Sequence, residues 1–156
     1  MTPQELCERV RDARDEFTAV WQDLSEAHIT QRPGPQPDRS VLDLVAHVAW
    51  WEKYAMGRVA TLLRGGADMQ TPDFDAVNAQ VFEQHRDIPF GVVLDEYNTA
   101  LIHIEEQIGV LSKEQLNAVG RYPTRAQSLL NIYLGNTINH YADHQADLEM
   151  FVASLA

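Results

Sequence analysis

The fold is decided by residues 90–111, which read FGVVLDEYNTALIHIEEQIGVL. Apolar residues recur in this stretch at alternating spacings of four and three, as they do along the inner seam of a helix in a bundle. The seam residues are Phe90, Leu94, Tyr97, Leu101, Ile104, Ile108 and Leu111. The pattern predicts a long amphipathic helix that needs partner helices to cover its apolar side.

Two stretches nearer the N-terminus carry helix-start signals. Thr2 and Glu5 form a capping-box pattern with a proline between them, and Ser40 with Asp43 forms a second cap. Each cap is followed by apolar residues at helical spacing. The two seams are Leu6, Val10, Phe17, Trp21 and Leu24, and then Leu44, Val45, Val48, Trp51, Ala55, Val59 and Leu62.

The segments between the helices are marked by proline and glycine. Residues 31–38 hold three prolines and a glycine and therefore predict a loop. Gly65-Gly66 predicts the end of the second helix. The stretch from Gly65 to Pro89 is irregular, and Thr71-Pro72 predicts the start of a short helix within it. Its predicted inner residues are Phe74, Val77, Val81 and Phe82.

A fourth helix follows residue 124. Thr124 and Gln127 resemble a capping box. One face then carries Leu129, Tyr133, Asn136, His140, His144, Asp147 and Phe151. Four helices with one apolar stripe each bury those stripes best around a common axis, and no stretch alternates as a strand does. The sequence predicts an all-α four-helix bundle that forms a single domain over residues 1–156.

Composition and net charge limit the functions that the protein can have. Twelve basic residues against 23 acidic ones give a net charge of −11. From this balance we expect neither nucleic acid nor an anionic membrane as a partner, and we expect a small molecule instead. No apolar run approaches the roughly 20 residues that span a bilayer. The single cysteine, Cys7, and the lack of a signal-peptide profile predict a cytoplasmic protein.

The inner face of the fourth helix is unusually polar. Asn136, His140 and His144 are spaced four apart, so they stack along one face. Two histidines at this spacing can chelate a divalent ion, and His47 in the second helix is the candidate third ligand. Asp43, one turn before His47, could orient its imidazole. The alternative is that these histidines are hydrogen-bonded core or surface residues without a metal.

Three segments resemble the DinB-like superfamily. Ser40–Tyr54, SVLDLVAHVAWWEKY, resembles its second helix, and Asn136–His144, NTINHYADH, resembles its last helix with His-x-x-x-His. Phe74–Asp87, FDAVNAQVFEQHRD, resembles the subgroup that contains the colibactin self-resistance protein. The resemblance extends over residues 3–152.

The resemblance implies a four-helix bundle with a long crossover between helices two and three. It also implies a divalent metal, typically nickel, zinc or iron, and assigns His47, His140 and His144 as its ligands. Some members of the superfamily are thiol-dependent transferases or isomerases that act with mycothiol or bacillithiol. The similar subgroup includes a hydrolase that opens an electrophilic cyclopropane and so detoxifies a genotoxin.

These observations leave three function hypotheses open. The first is a metal-dependent hydrolase or thiol transferase acting on a small, electrophilic molecule, with Trp50, Tyr54, Asn78 and Asn136 as candidate substrate-binding residues. No catalytic acid or base stands out, and Trp51 is better explained by core packing. The second is a non-catalytic module that binds or sequesters a small molecule. The third is an interaction protein with metal-free histidines, in which exposed tryptophans among Trp21, Trp50 and Trp51 would favour a homodimer.

Overall fold

The computed structural model describes every residue from Met1 to Ala156 and contains eight helices and no strand. The helices are α1 (Pro3–Trp21), α2 (Glu26–Thr30), α3 (Val41–Leu63), α4 (Phe74–His85), α5 (Phe90–Gly109), α6 (Lys113–Asn117), α7 (Leu129–Asn136) and α8 (Ile138–Ser154). The predicted all-α class is confirmed. No helix is both long and apolar enough to cross a bilayer.

The first two long helices begin where their caps predict. The Thr2 side chain accepts a hydrogen bond from the backbone N–H of Glu5, and the Glu5 carboxylate accepts one from the backbone N–H of Thr2. Ser40 and Asp43 make the same reciprocal pair at the start of α3. Each cap satisfies backbone N–H groups that the first turn of a helix leaves free.

The bundle is formed by α1, α3, α5 and the pair α7 and α8. Helix α1 packs against α5 and α8, and α3 packs against α5 and α7. Two apolar clusters fill the interior along the bundle. One contains Phe17, Val45, Ala49, Val93, Tyr141 and Leu148, and the other contains Leu6, Val10, Val59, Ile104, Leu129 and Ile132. The predicted four-helix bundle is confirmed, and the assignment of residues 1–156 to one domain stays a prediction.

The crossover between α3 and α5 holds helix α4. This helix begins at Phe74 and is capped by Asp73, whose side chain accepts from the N–H of Ala76, so it starts slightly later than Thr71-Pro72 predicts. Of the four predicted inner residues only Val81 is buried, and Phe74 is 53% exposed. The prediction of a fully inward apolar side is wrong, because α4 packs on the outside of α3.

The fourth predicted helix is interrupted. It begins at Ser128, whose side chain accepts from the N–H of Asn131, and not at the predicted box of Thr124 and Gln127. Thr124 instead bonds the carboxylate of Asp68 in the crossover. At Thr137, with φ −126° and ψ −99°, the helix breaks into α7 and α8. The side chain of Thr137 donates to the carbonyl of Tyr133 at 2.7 Å, which satisfies one of the last carbonyls of α7.

The loop before α3 is held tightly to that helix. Arg32 makes a bidentate pair with Asp43, with N···O distances of 2.7 and 2.8 Å. Gly34 lies against the backbone of Arg39 and Ser40, since a Cβ built on it would stand 2.5 Å from the carbonyl oxygen of Arg39 and 2.8 Å from the Cα of Ser40. Only glycine fits at this close approach.

We expect Gly34→Ala to lower the free energy of unfolding by about 1–3 kcal/mol, because the backbone atoms it meets cannot move without shifting the start of α3. The matched control is Gly57→Ala in the interior of α3. There a Cβ meets only the Met69 Cε at 3.6 Å, and the better helix propensity of alanine should add about 0.5–1 kcal/mol. Urea denaturation measures the change in the free energy of unfolding for both variants, and equal changes would contradict the prediction.

Candidate metal centre

Three histidines from two helices meet at one point in the bundle. His47 lies on α3, and His140 and His144 lie one turn apart on α8. Nε2 of His47 is 2.9 Å from Nε2 of His140 and 3.1 Å from Nε2 of His144, and the last two are 3.0 Å apart. The structure therefore brings together the three residues that the sequence assigned as ligands.

These three contacts cannot all be hydrogen bonds. In a neutral imidazole, Nε2 either carries a proton and donates or has a free lone pair and accepts. Three atoms divided between two states always include one pair in the same state, and that pair repels. A cation between the rings removes the conflict, because all three lone pairs then point at it.

The separations fit a divalent ion at the centre. Imidazole nitrogens bind zinc at about 2.0–2.1 Å. Two such ligands at right angles lie about 2.8–3.0 Å apart, while two at the tetrahedral angle lie about 3.3–3.4 Å apart. The observed distances of 2.9–3.1 Å match three ligands on one face of the ion.

All three imidazoles are held in the neutral form that binds metals. Burial, followed by the charges of the other two histidines, lowers the pKa of His47 to about 2. Burial and the charge of His144 lower the pKa of His140 to about 3. Burial also lowers the pKa of His144, against the opposing carboxylates of Asp143 and Asp147. Protons therefore do not compete for the lone pairs near neutral pH.

The predicted orienting partner of His47 is wrong. The carboxylate of Asp43 accepts from Arg32 and from Ser40, so it is saturated by the cap and the loop. The Nδ1 atoms of His47 and His140 are buried and have no hydrogen-bond partner in the chain. Trp51 packs edge-on to both rings at centroid distances of 6.5 Å.

A cavity of about 500 Å³ opens beside the three histidines. Of the four predicted substrate-binding residues, Asn78 and Asn136 line it. Trp50 and Tyr54 do not, and they stack on each other with centroids 5.8 Å apart. Trp51, which the sequence assigned to the core, is buried and also forms a wall of the cavity. Its Nε1 donates to Oδ1 of Asn78 at 2.9 Å and so ties α4 to α3.

The rest of the cavity wall comes from segments that sequence reasoning did not assign to the site. The loop before α3 contributes Gln36, Asp38 and Arg39, and α4 contributes Phe74 and Asp75. The only sequence signal for the loop residues is that they precede the capped helix that carries His47.

The tryptophan basis for a dimer is absent. Trp21 is 4% exposed and Trp51 is 5% exposed, and Trp50 is half-buried against its aromatic neighbours. Trp21 and Trp51 therefore offer no exposed face to a second copy, and a homodimer stays a prediction.

The fold and the site define a helical-bundle protein with a cluster of three histidines open to a cavity. The model of the DinB superfamily matches residues 9–147, and the chain belongs to that superfamily. The resemblance of the second and last helices is thereby confirmed. No curated protein matches the chain in sequence.

Several solved structures share the whole fold at low sequence identity. The colibactin self-resistance protein ClbS, in complex with a dsDNA, superposes with a TM-score of 0.84 at 13% identity, over 99% of this chain and 98% of that one. An uncharacterised protein from Escherichia coli UTI89 gives 0.84 at 14%, over 99% and 94%. A protein from Streptococcus pneumoniae gives 0.84 at 12%, over 100% and 93%. At these identities the likeness concerns the fold.

The exclusion of nucleic acid as a partner is wrong. It rested on the net charge of −11, yet ClbS, with this same fold, was crystallised in complex with a dsDNA. A net charge sums over the whole chain and does not fix the sign of the potential at one surface.

Proposed function

We propose that this chain is a divalent-metal-binding enzyme in which His47, His140 and His144 hold the ion. The observation that carries the proposal is the mutual approach of three Nε2 atoms, which hydrogen bonds alone cannot satisfy. The proposed activity is that of a hydrolase or a thiol-dependent transferase on a small, electrophilic molecule. Nickel, zinc and iron all suit three neutral imidazoles.

The ion and the cavity wall have separate roles. A divalent ion held by His47, His140 and His144 would lower the pKa of a water or thiol bound to it and so would supply a nucleophile at neutral pH. Trp51 and Phe74 provide an apolar wall. Asn78 uses its side-chain oxygen for Trp51, so its NH₂ group is the donor left for a ligand. Asn136 uses its NH₂ group for the carbonyl of Ile132, so its oxygen is the acceptor left.

A non-catalytic binding or sequestration module is the second candidate function. One observation favours it: the Nδ1 atoms of His47 and His140 lack the carboxylate or carbonyl partner that metal-ligating histidines usually have. Turnover separates the two candidates. An activated cyclopropane incubated with limiting protein, with and without a thiol, should be opened many times per chain by an enzyme and at most once by a sequestering protein. Mass spectrometry of the products measures the ratio.

Double-stranded DNA is a candidate partner because ClbS was crystallised with it. Fluorescence anisotropy with a labelled duplex tests this, and phosphate contacts would make the affinity fall with added salt. DNA binding is compatible with either candidate function.

The metal is tested by elemental analysis of protein purified without a histidine tag, and by melting with added nickel or zinc. At a free concentration of about 100 times the Kd, a bound ion should stabilise the fold by about 2.7 kcal/mol. For a chain of this size that corresponds to a rise of about 5–10 °C in the melting temperature.

Two variants make the metal test specific. His144→Ala should abolish the rise, because two imidazoles remain. His103→Ala, which removes an exposed histidine of α5, should leave it unchanged. If the native protein carries no stoichiometric metal and no added ion shifts its melting, the metal proposal is overturned.

A further inference from the structure

Arg39 is the single basic residue on the wall of the histidine cavity. It is half-buried in the loop that precedes α3, and its guanidinium carbon lies 5.3 Å from the centroid of the Phe82 ring. Its side chain makes no hydrogen bond within the chain, and no carboxylate lies within ion-pair distance of it. In a chain with 23 acidic residues, this arginine has none of them as a partner.

The neighbouring Arg32 provides a direct comparison. Its guanidinium carbon lies 5.4 Å from the centroid of the same Phe82 ring. Both oxygens of Asp43 engage Arg32, at 2.7 and 2.8 Å, so its charge is neutralised. Phe82 therefore contacts two arginines, of which one is paired within the protein and the other borders the cavity. The donors of Arg39 are free for a ligand.

The charge of Arg39 acts against a cation at the three histidines. Arg39 lines the same cavity as all three histidines, so its charge repels a divalent ion bound among them. An anion between the guanidinium and the ion would be attracted by both and would remove this cost.

We propose that Arg39 is the anion subsite of the cavity, and that the substrate carries a carboxylate or similar small anionic group. That group pairs with Arg39 while a second donor atom of the same molecule reaches the ion held by the histidines. A planar guanidinium with two free donors matches a carboxylate in a bidentate way. This inference rests on the proposed function and adds the substrate class to it.

The other charges of the cavity wall support a small ligand. Asp38 and Asp75 also line the cavity, and neither forms an ion pair. Both carboxylates repel an anion, so among the charged side chains of the wall only Arg39 attracts one. A DNA backbone presents a row of phosphates, and two unpaired carboxylates beside one arginine oppose such a row. The cavity volume of about 500 Å³ is in the range that holds a small molecule.

The test compares wild type with Arg39→Gln, using nickel or zinc alone and then a pair of matched probes. The probes are mercaptoacetate, whose thiolate can reach the ion and whose carboxylate can reach Arg39, and its uncharged amide. 3-Mercaptopropionate and its amide extend the reach. Calorimetry measures every affinity, with metal-loaded and with metal-free protein. Arg121→Gln, at an exposed arginine outside the cavity, is the matched control.

We expect Arg39→Gln to change two affinities in opposite directions. The ion alone should bind more tightly, because a repelling charge is gone. The mercaptocarboxylates should bind the loaded protein about tenfold or more weakly, because hydrogen bonds to a charged group are lost. The affinity for the amides should change less than twofold, and Arg39→Lys should recover part of the affinity for the carboxylates. If Arg39 had a purely structural role, its replacement would not strengthen the binding of the ion while weakening the binding of the carboxylates.

Any other result contradicts the metal proposal, the anion-subsite proposal or both. If the ion binds and Arg39→Gln leaves the preference for acid over amide unchanged, the anion subsite is wrong and the metal proposal stands. If no ion binds while the metal-free protein prefers the acids through Arg39, the metal proposal fails and the subsite is supported. If neither ion nor acid binds, both fail. If binding of a DNA duplex depends on Arg39 while binding of the small acids and of inorganic phosphate does not, the small-molecule subsite is replaced by a nucleic-acid contact.

Discussion

Glu52→Leu should lower the free energy of unfolding by about 3–5 kcal/mol, because it leaves the buried guanidinium of Arg14 without a counter-ion. Glu52 is 0% and Arg14 is 1% exposed, and their side chains lie 2.5 Å apart. Burial raises the pKa of Glu52, and the charge of Arg14 opposes that rise. The same carboxylate oxygen accepts from the hydroxyl of Tyr141. Guanidinium-chloride denaturation measures the loss.

The buried pair connects all parts of the bundle. Arg14 lies on α1, Glu52 on α3 and Tyr141 on α8, and the second guanidinium nitrogen of Arg14 donates to the carbonyl of Tyr97 on α5 at 2.6 Å. The guanidinium carbon also lies 3.3 Å from the centroid of the Tyr97 ring. Because α3 and α8 carry the three histidines, the same contacts fix the relative position of the two helices that form the site.

The control for this prediction is a double replacement. Arg14→Met with Glu52→Leu removes both charges, and similar buried pairs replaced by apolar residues lose little or even gain stability. Arg11→Ala breaks the exposed pair with Glu105 and should change nothing measurable. If Glu52→Leu alone is as stable as the double variant, the carboxylate does not neutralise Arg14 in the folded state.

The parts of the fold that depend on local sequence could be predicted. The starts of α1 and α3 follow from caps whose partners lie three residues apart, so neighbouring residues contain the whole signal. The start of α7 could not be predicted in the same way, because Thr124 is engaged by Asp68, 56 residues away. The break at Thr137 likewise depends on the packing of α7 and α8 on different neighbours.

In the candidate site, too, some features follow from local sequence and others depend on contacts that are distant in the chain. The i, i+4 spacing of His140 and His144 indicates a shared face, and the place of His47 in the second helix makes it the candidate third ligand, which the resemblance also assigns. The sequence predicts Trp50 and Tyr54 at the cavity wall only because they follow His47 closely in the chain. Tyr54 lies seven residues on, about 10 Å along the helix axis, and is beyond the cavity. Trp51, four residues on, lies on the same face as His47 and forms the wall.

Arg39 could not be found from the sequence. Its approach to the cavity depends on the close contact at Gly34 and on the ion pair of Arg32 with Asp43. Neither contact can be predicted from the spacing of apolar residues. A loop is positioned by what it contacts, and these contacts involve backbone atoms and one helix cap. The loop residues of the site therefore required the structure.

His140→Leu should raise the stability of the metal-free protein and abolish its stabilisation by metal. Without an ion, at least one pair among the three Nε2 atoms repels, and the buried Nδ1 of His140 has no partner. A buried polar group without a partner costs about 1–3 kcal/mol. A leucine of similar size should therefore raise the free energy of unfolding by about 1–2 kcal/mol in the presence of a chelator. With saturating nickel or zinc the variant should show no further gain.

The matched control is a histidine whose two ring nitrogens both face hydrogen-bond acceptors of the chain. His85 is half-buried, and its Nδ1 lies 2.9 Å from the carbonyl oxygen of Val81 while its Nε2 lies 3.3 Å from a carboxylate oxygen of Glu96. His85→Leu should lower the stability in chelator and leave the metal response intact. The two variants thus have opposite signs in chelator, and only His85→Leu keeps the gain on adding metal; urea denaturation with chelator and with metal measures all four values. If His140→Leu lost stability in chelator as His85→Leu does, the three histidines would be a self-sufficient hydrogen-bonded cluster, and the case for an ion among them would lose its main support.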